Sequence, residues 1–265
     1  MSRPPQNTPP PAPPNSVRVW CGFKLPRMQV EEFNNLMGTV FIPATVKMQA
    51  AAGLDSYVPT VLTGLEGKPD SVPDETALVF WKTQQAYDNC RNKMLAGRAY
   101  KLTHSGVFDF ENRKSLSSFP VPFNGSLEFD KPTYLFEKNA AWMHGTVRHF
   151  IAESPAGTDP AAFLAALSQK LAEIKQNLNQ QLEGAIAFAR KDYFVYWELA
   201  PPAAPAGTSE APSGVPLLKE ALAGSWSRAF TAEPANVTNN GLWDEWLGMT
   251  GVRAGSSLNV QFERQ

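Results

Sequence analysis

The order of structural patterns is repeated along this chain, and that repetition constrains the fold more than any single residue does. An extended apolar segment, an amphipathic helix, more extended segments, a second helix and a final strand occur within residues 16–128 and again within residues 129–265. Each stretch is close to the usual size of a domain. The sequence therefore predicts an α+β fold of two packed units with antiparallel sheets, joined near residues 126–132.

The first unit begins with a predicted strand that has one more polar face. Apolar residues at 17, 19, 21 and 23 alternate with Arg18, Trp20, Gly22 and Lys24, which is the period-two pattern of a strand. The patterns that follow predict a helix over 30–37, a break near 38–43, a second helical piece to Gly53, strands over 56–62 and 76–81, and a helix over 82–95 that stops at Gly97. Residues 100–110 are expected to form a closing strand or an irregular segment.

The second unit contains the clearest helix of the sequence. Apolar residues return every three or four positions from Phe163 to Leu182, with Thr158 or Asp159 as the N-cap and Pro160 in the first turn. Extended segments over 133–153 precede this helix, and a β-hairpin over 185–199 follows it. An amphipathic helix over 217–230 and a strand over 258–262 complete the predicted unit.

Two segments have the composition of exposed chain. Residues 1–15 contain seven prolines, which favours a solvated polyproline II tail. This tail is either an unstructured leader or a ligand for a proline-binding partner. Residues 200–214 are rich in Pro, Ala and Gly, and we expect them to form a long exposed loop within the second unit.

The charge balance excludes several classes of partner. The chain has 24 Lys and Arg against 25 Asp and Glu, a formal charge of -1, so no overall field attracts nucleic acid or an anionic membrane. We expect neither as a partner, whereas a small-molecule ligand and a homo-oligomer remain open. Cys21 and Cys90 are too few and too far apart for a disulfide framework. With no apolar run of about 18 residues, the sequence predicts a cytoplasmic protein.

The element order carries one resemblance to a known superfamily. Strand, helix, two strands, helix and strand form the split βαβ arrangement of ferredoxin-like folds. Two such units over about residues 17–265 resemble the tandem form of the dimeric α/β-barrel superfamily, in which two four-stranded sheets pack face to face. The resemblance implies an activity like those of its members, which include cofactor-free monooxygenases and isomerases, stress-response proteins and haem-binding chlorite dismutase-like proteins.

Histidine placement argues against a haem or metal cofactor. The haem-binding members would need a helix-borne histidine as iron ligand, and the long helices predicted over 159–182 and 215–230 contain none. Of the three histidines, His144 and His149 are an odd number of residues apart and would point to opposite faces of one strand, away from His104 in sequence. The sequence therefore predicts neither a cofactor nor a metal site.

One short segment brings together side chains suited to acid–base chemistry. Arg98, Tyr100 and His104 supply a guanidinium, a phenol and an imidazole. If they line a cavity, His104 can act as a base while Arg98 or Tyr100 stabilises oxyanion charge. Alternatively, Tyr100 and His104 are ordinary strand residues and Arg98 caps helix carbonyls. The residues predicted to bind the substrate are Tyr57, Trp81, Trp142 and His149.

Two functions of different classes follow from these patterns. The first is a small-molecule-binding protein that acts as a cofactor-independent oxygenase or isomerase on an enolisable or phenolic metabolite. The second is a noncatalytic binding or assembly protein that uses its sheets and helices as an oligomer interface. A largely apolar pocket that contains His104 would favour the enzyme, and a filled core with exposed Leu or Trp patches would favour the assembly protein.

Overall fold

The computed structural model describes residues 16–112, 115–136, 140, 142, 145–201, 212–232, 248–249 and 252–253. The predicted proline-rich tail, most of the predicted loop 200–214 and the predicted strand 258–262 lie outside these residues. Among the described helices, none combines the length and the apolar character that crossing a bilayer requires.

The first unit alternates strands with pairs of helices. Its elements are β1 (Ser16–Gly22), α1 (Val30–Leu36), a π-helical turn (Met37–Phe41), α2 (Ile42–Gln49), a 3₁₀ turn (Ala50–Ala52), β2 (Leu54–Val61), β3 (Glu75–Trp81), α3 (Gln84–Lys93), α4 (Leu95–Ser105) and β4 (Leu116–Ser118). The predicted break in the first helix is confirmed, because the π turn separates α1 from α2 and Pro43 lies in the first turn of α2.

The second unit repeats this order with single helices. Its elements are β5 (Val121–Pro122), β6 (Thr133–Tyr134), β7 (Thr146–Glu153), α5 (Pro160–Leu178), β8 (Gly184–Ala189), β9 (Tyr193–Ala200), α6 (Val215–Ala221) and β10 (Ser227–Ala232). The predicted N-cap of α5 is confirmed, because the Asp159 carboxylate accepts a hydrogen bond from the Ala162 amide at 2.9 Å. Two further strands, β11 (Gly248–Met249) and β12 (Val252–Arg253), follow later in the chain.

Both sheets have the strand order of a ferredoxin-like fold. The first sheet runs β11-β2-β3-β1-β4, with β12 also paired to β2, and the second runs β10-β7-β9-β8-β6-β5. In each sheet the four principal strands are antiparallel, and the first and third strands of the unit are central neighbours. The α+β class with two ferredoxin-like antiparallel sheets is therefore confirmed. The late strands β11 and β12 return to the edge of the first sheet.

The two sheets pack against each other and carry helices on their outer faces. One apolar cluster joins alternate residues of β1, β2 and β3 with alternate residues of β7, β8 and β9, among them Val19, Leu78, Val195 and Trp197. A second cluster lies between the first sheet and its helices, and a third lies between the second sheet and α5 and α6. This order of helix, sheet, sheet and helix layers is the packing of a dimeric α/β barrel within one chain.

The structure corrects the end of the first unit. Residues 95–105 form helix α4, so the prediction of a strand or irregular segment over 100–110 is wrong for most of that range. Gly97 does not end a helix. A Cβ atom at this position would lie 2.1 Å from the Cys90 carbonyl oxygen, so glycine permits the close approach of α4 to α3. The alternation of Tyr100, Leu102 and His104 suggested a strand but belongs to a helix.

The predicted helix over 217–230 is also shorter in the structure. Helix α6 ends at Ala221, and Gly224 adopts a left-handed conformation with φ of 86° that reverses the chain. Residues 227–232 then form β10, in which Phe230 pairs with His149 of β7. The aromatic residues that continued the helical pattern therefore belong to the closing strand and the turn before it.

Candidate functional site

A cavity of about 520 Å³ lies between the first sheet and helices α2, α3 and α4. Its floor includes Arg18 and Trp20 of β1, Tyr57 of β2 and Trp81 of β3. These residues come from strand positions that face the helices, because their sequence neighbours Val19, Val58 and Phe80 belong to the cluster between the sheets. Cavities of this volume are typical of small-molecule sites.

Four of the seven predicted site residues line this cavity. His104 and Tyr100 reach it from α4, and Tyr57 and Trp81 reach it from the sheet. On α4, Gly97, Tyr100, Lys101 and His104 all line the cavity, at the three- and four-residue spacing of one helix face. The structure thus brings together residues that are 47 positions apart in the sequence, from Tyr57 to His104.

The other three predicted residues lie elsewhere. Arg98 is exposed on α4 and is not among the residues that line the cavity. Trp142 is buried between the sheets, with its ring 6.3 Å from that of Phe80. His149 is fully buried in the same layer. The first sheet therefore separates Trp142 and His149 from the cavity, whereas Arg98 is on the same helix as two predicted residues that line the cavity but is exposed.

His149 has the contacts of a structural residue. One ring nitrogen lies 2.8 Å from the Thr76 hydroxyl and the other lies 2.9 Å from the Tyr196 carbonyl oxygen. The ring stacks on Trp197 at a centroid distance of 4.4 Å. Burial lowers its pKa to about 4, so the imidazole is neutral at pH 7 and bridges the two sheets.

His104 is held in a box of aromatic rings. The rings of Trp20, Phe41, Tyr100 and Phe108 have centroids 4.1 to 5.5 Å from the imidazole centroid. Its Nδ1 lies 2.9 Å from the Tyr100 carbonyl oxygen, which fixes the tautomer with the proton on Nδ1 and leaves Nε2 as an acceptor. Burial lowers the pKa of His104 to about 4, so this histidine is a neutral and weak base at pH 7.

The Tyr100 hydroxyl donates its hydrogen bond to another side chain of the protein. The Thr45 hydroxyl donates to the Phe41 carbonyl oxygen, so the Tyr100 hydroxyl is the donor in its 2.5 Å contact with Thr45 Oγ1. Burial raises the pKa of the Tyr100 phenol. Tyr100 therefore joins α4 to α2 and shapes the cavity wall, and its hydroxyl presents acceptor lone pairs to a ligand.

A buried carboxylate lies directly behind the cavity floor. Glu75 is 1% exposed and accepts hydrogen bonds from the Tyr57 hydroxyl and, at 2.9 Å, from Trp20 Nε1. Burial raises the pKa of Glu75 to about 7, while the two donors oppose that rise. Both donors line the cavity. The site therefore contains a carboxyl group that gains and loses a proton near neutral pH and is connected to the cavity through a phenol.

Arg18 supplies the positive charge on the cavity floor. Its guanidinium lies 3.7 Å from the centre of the Tyr87 ring and donates a hydrogen bond to the Ser117 hydroxyl. Burial lowers its pKa to about 10, so it remains protonated at pH 7. Arg91 and Lys101 add positive charge among the lining residues, and no aspartate or glutamate is among them. The cavity is aromatic and cationic.

The sequence pattern does not identify Arg18 and Glu75 as site residues, because each is a single charged residue within or beside a predicted strand. Arg18 lies on the more polar face of β1, and Glu75 immediately precedes the mainly apolar run from Thr76 to Trp81. A charged residue at the edge of such a run is a weak signal of a buried polar site. Within the described ranges, no cluster of three or more His, Cys, Asp or Glu side chains could hold a metal ion.

Comparisons with known proteins give only distant structural matches. No family model matches the chain, and no curated protein matches it significantly. Among solved structures, a protein provisionally assigned as a monooxygenase from Lactobacillus acidophilus NCFM is similar, with 8% identity, a TM-score of 0.37, and coverage of 82% of this chain and 91% of that one. Another protein provisionally assigned as a monooxygenase, from Fusobacterium nucleatum, is also similar. It has 10% identity, a TM-score of 0.39, and coverage of 82% of this chain and 90% of that one.

A third similar structure is an anthrone oxidase-like protein, with 10% identity, a TM-score of 0.37, and coverage of 91% of this chain and 93% of that one. These identities and TM-scores are too low to transfer a site or an activity to this chain. The fold assignment rests on the strand order and layers described above, and the chemistry of the site rests on its residues.

Proposed function

We propose that the protein binds a small enolisable or phenolic molecule in the cavity of the first unit and removes a proton from it. The observation that carries this proposal is the buried Glu75 carboxylate, hydrogen-bonded to Tyr57 at the cavity floor. A general base works best when its pKa lies near the operating pH, and the pKa of Glu75 is about 7. His104, with a pKa of about 4, suits an accepting role toward a ligand hydroxyl better than the role of base.

The proton transfer runs through Tyr57. A substrate C–H or O–H proton moves to the Tyr57 oxygen while the Tyr57 proton moves to Glu75 along their existing hydrogen bond. Tyr57 is neutral before and after this step. The negative charge passes from Glu75 to the substrate, which becomes an enolate or phenolate. Arg18, on the same floor, stabilises that charge.

The fate of the anion decides between the two reactions. Return of a proton to a different atom of the enolate gives an isomer. Transfer of an electron from the anion to dioxygen, followed by bond formation with oxygen, gives an oxygenated product. Both routes begin with the same proton abstraction, so that step is the one to test.

Deuterium exchange provides the test. We would incubate 2-tetralone, an enolisable bicyclic ketone, with the protein in D₂O and follow loss of its α-proton signal by NMR. Protein should accelerate exchange, and Glu75→Gln and Tyr57→Phe should each lower the acceleration by about 100-fold or more, the usual contribution of general base catalysis. Glu31→Gln, which changes an exposed glutamate on α1, is the matched control.

The pH profile adds a sharper readout. The ionised carboxylate is the active form, so the exchange rate should rise with pH through about 7 and level off above it. Oxygen consumption in the same samples separates the oxygenase from the isomerase. Exchange at the buffer rate with wild-type protein, at every pH, would contradict the proposal.

A second candidate function rests on the exposed face of α4. Leu95 and Leu102 are 78% and 75% exposed and lie two helical turns apart on one side of the helix. This pattern supports the alternative of an assembly protein in which α4 packs against a second copy. Light scattering should then report an oligomer that dissociates in Leu95→Glu/Leu102→Glu. A monomer in both proteins would contradict this second candidate.

A further inference from the structure

We infer that the cavity recognises a planar aromatic ligand through an oxyanion that pairs with Arg18. The oxyanion is a carboxylate or an ionised phenol or enol. This inference rests on the proposed binding function and adds the chemical class of the ligand. The two units of the chain differ in how they surround an equivalent arginine.

The two units place an arginine at the same position of their first strand. Arg18 of β1 pairs across the sheet with Val79 of β3, and Arg148 of β7 pairs across its sheet with Glu198 of β9. Both arginines alternate with residues of the barrel interior, so both face the helix layer of their own unit. The cross-strand partner is therefore a carboxylate in the second unit and an apolar residue in the first.

The second unit shows how the fold neutralises this arginine. Arg148 Nη1 lies 3.0 Å from Glu198 Oε1. Glu198 is fully buried and also accepts hydrogen bonds from the Tyr196 hydroxyl, the Ser213 hydroxyl and the Gly214 amide. A buried charge needs such partners, because burying it unpaired is costly.

The first unit leaves the equivalent charge without a carboxylate. Among the described residues Arg18 forms no ion pair. Asp88 of α3 is the acidic side chain whose charge acts on Arg18 from a distance, whereas Arg91 acts in the opposite sense. Tyr87 and Ser117 hold the guanidinium by a ring contact and one hydrogen bond. The remaining N–H groups can donate to a ligand oxyanion, for which a guanidinium fork is well suited.

The side chains that surround Arg18 favour a ligand with a flat apolar ring system. Trp20, Tyr57, Trp81, Tyr100 and Phe110 line the cavity, so aromatic surface dominates the side chains that a ligand would contact. Trp81 contributes one more feature. Its Nε1 is a buried donor with no hydrogen-bond partner in the described part of the chain. An oxygen-bearing aromatic ligand would suit both the walls and this donor.

A matched pair of probes tests the charge requirement. We would titrate 2-naphthoate and 2-naphthamide, which share shape but differ in charge, into wild-type protein at pH 7 by calorimetry. The carboxylate should bind about 10- to 100-fold more tightly, the range expected for a charge-assisted hydrogen bond. Arg18→Gln should reduce that preference to less than about threefold. Lys93→Gln removes an exposed cation of α3 that does not line the cavity and should keep the preference.

A second variant transfers the arrangement of the second unit to the first. Val79→Glu places a carboxylate opposite Arg18, as Glu198 stands opposite Arg148, and should abolish the preference for naphthoate while Arg18 is retained. Circular dichroism melts of each variant establish that it is folded. Because the two variants change different strands, a folding defect in one leaves the other as the test.

The outcomes separate this inference from the proposed function. Equal affinity for both probes in wild-type protein would overturn the oxyanion inference and leave small-molecule binding in place. Binding of neither probe would overturn both. The source of the oxyanion is resolved with 4-nitrophenol, whose phenolate absorbs visible light. If the site accepts phenolates, the ionisation of this probe should shift to lower pH on binding, and Arg18→Gln should remove the shift; without such a shift, the oxyanion is a carboxylate.

Discussion

The two helix–sheet layers of this chain share one strand order but are packed differently. In the second unit Phe163, Leu167, Leu171 and Ile174 of α5 pack directly on the sheet and are buried in one continuous cluster. In the first unit the corresponding layer contains a cavity of about 520 Å³ with charged and aromatic walls. The difference shows that strand order does not create a site; the residues that face the helices do.

Arg18 and Arg148, which occupy equivalent positions in the two units, show the same difference at a single residue. Arg148 is neutralised by a buried glutamate, whereas Arg18 has valine as its cross-strand neighbour. We therefore expect the second unit to depend on its polar contacts for stability and the first unit to hold its charge for a ligand.

The largest effect is expected from Glu198→Gln. The substitution leaves Arg148 without its carboxylate and weakens the bonds to Ser213 and Gly214. Breaking a buried pair by removing one partner costs about 3–5 kcal/mol. Urea unfolding at pH 7 measures this loss, and a loss below about 1 kcal/mol would show that the pair is not a structural element of the second unit.

Leucine truncation compares the filled layer with the cavity wall. Leu171 is fully buried under α5, so Leu171→Ala should lower the free energy of unfolding by about 3 kcal/mol. Leu116 is partly buried, because it lines the cavity on one side and packs against the cluster between the sheets on the other, so Leu116→Ala should cost clearly less. Urea unfolding of both variants measures the difference, and equal losses would mean that Leu116 is packed as tightly as Leu171.

Protonation of the buried histidine in the barrel interior gives a smaller, pH-dependent effect. The pKa of His149 falls from 6.5 to about 4 on folding, so the unfolded chain binds more protons between these values and stability falls as pH is lowered through that window. At pH 5 the loss from this one group should be about 2 kcal/mol relative to pH 7. His149→Gln should flatten the dependence; an unchanged slope of unfolding free energy against pH would contradict it.

The smallest effect on stability is expected from Arg18→Gln without ligand. Arg18 loses a ring contact with Tyr87 and a hydrogen bond to Ser117, but no ion pair. We expect the free energy of unfolding to change by less than about 1 kcal/mol, because no carboxylate is left unpaired. A loss as large as that of Glu198→Gln would mean that Arg18 is a structural residue like Arg148.

Periodicity predicted the elements whose pattern is local. The alternation in β1, the apolar stripe of α5 and the hairpin of β8 and β9 all agree with the structure. Helix α4 was misread because Tyr100, Leu102 and His104 also fit a two-residue period, whereas the cavity-facing set follows a helical period. His104 and Tyr100 were found together despite this, because they share one helix face.

The rest of the site depends on pairings that no local pattern reveals. Glu75 of β3 pairs with Val61, four residues after Tyr57 on the same face of β2, and the long Tyr57 side chain reaches its carboxylate along the sheet. That Arg18 faces valine while Arg148 faces glutamate follows from the register of two separate sheets. Trp142 and His149 are predicted binding residues because aromatic and imidazole groups suit a cavity, but both lie in the barrel interior.

The measurement that tests the central claim most directly is native mass spectrometry of the protein isolated from its own cells, compared with its mass after denaturation. Wild-type protein should retain one small anionic aromatic molecule that denaturation releases, and Val79→Glu, purified in parallel, should carry none. Wild-type protein that carries no such molecule, or a ligand retained equally by Val79→Glu, would contradict the claim that the first unit holds a ligand at Arg18.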